Sequence, residues 1–130
     1  DHPLAEKGTT TLKQLCRESM IVREPGSGSR RCVELALQEH GFSVTDLNIA
    51  MEVNSNDVIR AAIVQGVGVA FLSQRANRHQ AGLASVKVRG FHPRRELYVI
   101  SNPRRIPLAP AQQFLSFVEQ RRSGRRTKKR

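Results

Sequence analysis

The 130 residues make one domain's worth of chain, and the 38% apolar and 25% charged content suits a soluble globular body and excludes disorder throughout. No run approaches the roughly 20 consecutive apolar residues of a membrane-spanning helix, and the opening Asp1-His2-Pro3-Leu4 lacks a basic-then-apolar leader, so a cytoplasmic protein without a membrane partner is expected. The net charge of +11 is unevenly placed: residues 121–130 hold seven of the 22 basic residues and no acid, which leaves 15 basic against 11 acidic in the body. An excess that small keeps a domain soluble and calls for no polyanionic partner. The tail reads as a solvated, disordered extension or as an electrostatic anchor to nucleic acid.

In chain order, leucines 12 and 15 have helical spacing within residues 10–16, and Met20-Ile21-Val22 is an apolar run suited to a buried parallel strand. Pro25-Gly26-Ser27-Gly28-Ser29 breaks the pattern, and residues 30–40 form a helix with Val33, Ala36 and Leu37 on one face and Gly41 as its stop. The unit repeats: a strand over 48–53, a cap of Asn54-Ser55-Asn56, and a helix over 57–65 that buries Val58, Ile59, Ala62 and Ile63 before Gly66. Residues 67–72 read as a further strand, with Gly66 and Gly68 allowing a tight turn and a close approach of backbone to a ligand or a neighbouring helix. Residues 83–88 and 96–101 read as two more strands, residues 102–110 with three prolines as a connection, and residues 111–121 as a helix that should dock Phe114, Leu115, Phe117 and Val118 on a sheet. Strands alternating with helices predict an α/β fold with a mostly parallel, doubly wound sheet, whose ligands lie at the carboxyl ends of the strands.

Two strands run directly into polar turns that open helices: Glu24-Pro-Gly-Ser-Gly-Ser-Arg30 and Glu52-Val-Asn-Ser-Asn-Asp57. A helix amino end offers unpaired N–H groups and positive partial charge, so glycines that admit an anion and serines that donate to it make a carboxylate, sulfate or phosphate site. For Ser27 and Ser29, and still more for Asn54, Ser55 and Asn56, ordinary helix capping competes with ligand contact, and the two roles are compatible. The glycine turn is no nucleotide-binding motif: no Gly-Lys-Ser/Thr follows, and Arg31 breaks the dinucleotide pattern. His2, His40, His79 and His92 stand in loops or at a helix end without a nucleophile motif, so no catalytic residue is expected. Cys16 and Cys32 read as reduced, mostly buried thiols, and neither they nor any other group suggests a metal or cofactor.

These segments resemble the effector-binding domain of LysR-type transcriptional regulators, which is built like a type 2 periplasmic binding protein. The resemblance rests on Met20-Ile-Val-Arg-Glu24 followed by Gly26-Ser-Gly-Ser-Arg30, on Asn54-Ser-Asn-Asp-Val58 leading to Ile63-Val-Gln-Gly-Val-Gly-Val-Ala-Phe-Leu-Ser73, and on residues 97–100, 102–105 and 114–117 near the end. It implies a small anionic metabolite bound in an interlobe cleft by Ser27, Gly28, Ser29, Arg30, Asn54, Ser55, Asn56 and Gly68, without cofactor or metal, in a homo-oligomer. It further implies an effector lobe over residues 1–94, a return strand and closing helix of an incomplete second lobe over 95–120, and the basic tail over 121–130. DNA would be contacted only through an N-terminal winged helix-turn-helix that has no counterpart in these residues. A lobe of a solute-binding transport protein is the alternative with the same fold.

Overall fold

The structure, a computed structural model, describes residues 2–74, 81–102, 104 and 108–126, with side chains to Arg121 in the last helix. His79, residues 103 and 105–107 of the proline-rich connection, and residues 127–130 lie outside the described residues. The elements are α1 (Pro3–Lys7), β1 (Thr9–Thr10), α2 (Leu12–Leu15), β2 (Met20–Arg23), α3 (Gly28–Glu39), a 3-10 turn (Val44–Asp46), β3 (Ile49–Val53), α4 (Asn56–Val64), β4 (Lys87–Val88) and α5 (Ala109–Arg126). They divide into two compact units, Asp1–Glu96 and Leu97–Arg130.

In the first unit β2 pairs in parallel with β3, from Met20 opposite Ile49 to Arg23 opposite Val53, and β1 pairs in parallel with β4. Parallel neighbours need a crossover, which α3 supplies between β2 and β3. Helices cover both faces. Met20 and Val22 of β2 pack with Ala36 and Leu37 of α3, whereas Ile21 between them packs with Ile59 and Ala62 of α4. That period-two alternation along β2, with an apolar core on each side, is the layered arrangement of a doubly wound sheet.

Residues 67–72 depart from the expected strand. Val69 alone bridges to Met20, through Ile21 N–H to Val69 O and Val69 N–H to Ser19 O, each 2.8 Å. Side chains still alternate, since Val69 and Phe71 join one core and Ala70 and Leu72 the other, but the segment lacks the further ladder bonds of a strand. Of residues 83–88 only Lys87 and Val88 pair, and none of residues 96–101 forms a strand, because β-rich composition becomes a strand only where a neighbour completes its hydrogen bonds. Val58 is 44% exposed, contrary to the expected buried face of α4. At about 100° per residue it points roughly a quarter-turn away from the face that Ile59, Ala62 and Ile63 share.

In the second unit Leu97, Tyr98 and Ile100 are exposed, α5 leaves Phe114 and Phe117 exposed, and Leu115 and Val118 are half-buried. This unit contributes no strand to either sheet of the described residues. The helix also runs through Arg126, so the first part of the basic tail is helical and not disordered, and Arg121 caps Phe117 with its guanidinium 4.8 Å from the ring centre. No helix among the described residues is long and apolar enough to cross a membrane.

Candidate functional site

Because β2 and β3 are parallel neighbours, paired without interruption from Ile21 opposite Met51 to Arg23 opposite Val53 after a register shift at Met20, the two polar turns leave the sheet at the same end. Glu24 N–H donates to Val53 O at 3.0 Å, carrying the ladder one step past Arg23 and holding the turn starts side by side. In the first turn Gly26 takes φ 88°, a region that favours glycine, and Ser27 N–H closes onto Glu24 O at 3.2 Å. α3 then begins at Gly28 with Ser27 in the N-cap position. In the second turn Ser55 is the N-cap of α4, and its Oγ accepts from Asp57 N–H at 3.2 Å.

The capping alternative therefore resolves differently at the two serines. Ser55 caps. Ser27 stands where a cap would stand, yet its hydroxyl makes no cap bond and, at 8% exposure, has no partner among the described residues. A hydroxyl in a residue so largely shielded from water and left unpaired costs free energy until something bonds it. Ser29 Oγ accepts from Arg95 Nη1 at 3.3 Å, Asn56 Oδ1 accepts from Arg23 Nη1 at 3.0 Å, and Asn54 is exposed. The Arg23 contact links the two turns directly, since the same guanidinium also grips Glu24 through Nε at 2.7 Å and Nη2 at 3.0 Å. That bidentate grip holds the Glu24 carboxyl below the ordinary glutamate range.

Two of the residues expected to bind a ligand have other employment. Arg30 donates from Nε to Glu34 at 2.9 Å, and from Nη1 to the Arg23 carbonyl at 2.9 Å and to Glu52 at 2.5 Å. Its guanidinium, whose charged form Glu52 chiefly favours, fastens α3 to the β2–β3 pair through Nε and Nη1. Gly68 lies by Ser19, at the start of β2, and so roughly 13 Å along the strand from the turns at about 3.3 Å per residue. A Cβ there would fall 2.1 Å from the Ser19 carbonyl oxygen, so the close approach that requires glycine is to this chain's own backbone.

Sequence reasoning missed Arg23, Glu52 and Arg95. Arg23 and Glu52 sit inside the very motifs that were singled out, whereas Arg95 meets Ser29 across 66 positions and leaves no local signal. Between α3 and the sheet a small cavity of about 30 Å³ reaches Ile21, Val33, Leu47 and Phe71, room for about one water-sized group. A larger apolar cavity, about 210 Å³, lies among Leu15, Met20, Val69, Leu83 and Val86, away from the polar turns.

Both His40 ring nitrogens face backbone carbonyls, of Ala36 at 2.8 Å and Gly90 at 3.0 Å, and no metal-binding cluster occurs among the described residues. Cys16 and Cys32 are half-buried and unbonded to one another, less covered than expected, and burial raises the Cys16 thiol above its ordinary value with Asp46 adding to the effect.

The LysR substrate binding domain matches residues 1–123. The chain belongs to this family. An uncharacterized HTH-type transcriptional regulator of Methanocaldococcus jannaschii is 36% identical over 121 residues, covering 91% of this chain and 41% of that protein. The HTH-type transcriptional activator CmpR of Synechocystis sp. is 32% identical over 120 residues, covering 90% of this chain and 38% of CmpR. Among solved structures, the regulatory domain of Synechocystis PCC6803 CcmR in complex with 2-PG aligns with a TM-score of 0.76 and 31% identity, over 90% of this chain and 56% of that one. The chain thus spans well under half the length of these two curated relatives. The fold is the periplasmic-binding-protein-like α/β fold of LysR regulatory domains. The family's domain binds effectors for transcriptional regulators, and both of these relatives are named as transcriptional regulators.

Proposed function

We propose that this LysR effector-binding domain holds a small anionic metabolite at the amino ends of α3 and α4, between Ser27, Gly28 and Ser29 of one turn and Ser55 and Asn56 of the other, although the helices run back over opposite faces of the sheet. The observation that carries the reading is the fastening of both turns at one end of the β2–β3 pair, by Glu24 N–H on Val53 O and by Arg23 on both Glu24 and Asn56. Two helix amino ends at one end of a sheet each offer positive partial charge and unpaired N–H groups on the same side of the molecule as the strand ends. The 2-PG bound to the related CcmR domain supports an anionic effector of comparable size. In the intact regulator, a homo-oligomer on this reading, bound metabolite would bias how the DNA-binding part is held, to the extent that the two states differ in affinity for it.

Calorimetric titration of 2-PG, sulfate and small carboxylates into the chain tests the reading. Binding of at least one anion, lost in a Ser27→Ala/Ser55→Ala variant that still folds, is the expected result. Indifference of the chain to all of them, or of the double variant to the substitutions, would overturn it.

A further inference from the structure

Arg95 reaches the first turn of α3 from far along the chain. Its Nη1 donates to Ser29 Oγ at 3.3 Å, and a Cβ built on Gly28 would stand 3.5 Å from the same nitrogen. A guanidinium is therefore set against a helix end that is itself positive. Like charges gather stably only when something negative joins them, and among the described residues Arg95 has no carboxylate within ion-pair distance.

The other two guanidiniums of this rim differ. Arg23 is taken up by Glu24 and Asn56, and Arg30 by Glu34 and Glu52. Arg95 is exposed and gives one described bond to a neutral hydroxyl, leaving most of its five donors uncommitted. In the same turn the Ser27 hydroxyl, buried to 8% exposure and unpartnered among the described residues, is an independent sign that a hydrogen-bonding guest completes the site.

We infer that Arg95, and not Arg30, is the cation that grips the metabolite, giving up the Ser29 hydroxyl for an oxyanion group seated on the amino end of α3. The inference rests on the site proposed above and adds the chemistry of the guest: a carboxylate or phosphate-type group, whose coplanar or clustered oxygens match the fork of a guanidinium. Arg95 is also the last residue but one of the first compact unit.

Titration of 2-PG, inorganic phosphate, sulfate and acetate into the chain, in wild type, Arg95→Ala and Arg95→Lys forms, separates the possibilities. Arg95 is exposed, so thermal unfolding of Arg95→Ala should match wild type and certify its fold. Removing a charge-assisted bond to an anion should weaken binding about tenfold or more, with partial recovery in Arg95→Lys and a shallower dependence on salt in Arg95→Ala. If wild type binds an anion and Arg95→Ala binds it equally tightly, Arg95 has no such role although the site stands. If wild type binds none of the four, both the role and the site fall.

Discussion

Replacing Gly68 by alanine tests what that glycine is for. The added Cβ would lie 2.1 Å from the Ser19 carbonyl oxygen and 2.8 Å from its carbon, and both atoms are backbone. Relief requires Ser19 to retreat by well over about 1 Å to reach ordinary contact. Ser19 O accepts from Val69 N–H, whose own carbonyl accepts from Ile21 N–H, so the retreat loosens the bond pair that ties residues 67–72 to β2. Two backbone bonds at about 1 kcal/mol each, with overpacking strain of about 1–3 kcal/mol, give a loss of roughly 3–5 kcal/mol. Gly26→Ala is the control: its φ is 88° but nothing lies within 4 Å of the new Cβ, so it should lose only the left-handed conformational cost of about 1–2 kcal/mol. Urea unfolding followed by circular dichroism measures both. If Gly68→Ala unfolds no more easily than Gly26→Ala, or if it folds normally and loses only anion binding, the assignment of Gly68 to the chain's own packing is wrong.

Three further outcomes follow from the same contacts. His40 closes α3 with both ring nitrogens on carbonyls, a geometry only the imidazolium satisfies with two donors, and the Ala36 carbonyl first and the Gly90 carbonyl next raise its affinity for a proton. Its folded-state value lies above the unfolded value near 6.5, so its stabilisation is full below that pH and fades as pH rises through the folded value. Thermal midpoints of wild type and His40→Ala should therefore converge between acidic and alkaline buffer, and a gap constant with pH would contradict the double bond. Ile59, with 0% exposure in the core beneath α4, should lose about 2–5 kcal/mol on change to alanine, whereas the half-exposed Val58 should lose far less, about 1 kcal/mol or below; equal losses in urea titration would refute the helix orientation. Arg30→Ala should destabilise by about 1–3 kcal/mol, since it strips Glu34, Glu52 and the Arg23 carbonyl of their shared donor; unaltered stability would return Arg30 to the ligand.

The layered core was legible because its signal is local. Apolar Met20-Ile21-Val22 and the spacing of Ala36, Leu37, Ile59 and Ala62 follow from period two in strands and 3.6 in helices, and the same residues form the two cores. The common exit of the two turns followed from parallel pairing. What stayed hidden depends on partners distant in sequence. Nothing in Leu97-Tyr98-Val99-Ile100 tells whether a neighbour will complete its hydrogen bonds, and no local pattern sends Arg95 to Ser29 while Glu34 and Glu52 absorb Arg30. Gly68 looked like a ligand's glycine for a related reason: a close backbone approach reads the same in sequence whether a guest or Ser19 makes it.

The central claim is that the amino ends of α3 and α4 form one anion seat. Amide chemical shifts of the isotope-labelled chain, followed while 2-PG is added, test it most directly. Residues 27–31 and 55–58 should shift together along one saturation curve, with Gly68 and α5 unmoved. Shifts confined to one turn, or centred on any other part of the chain, would contradict a shared seat.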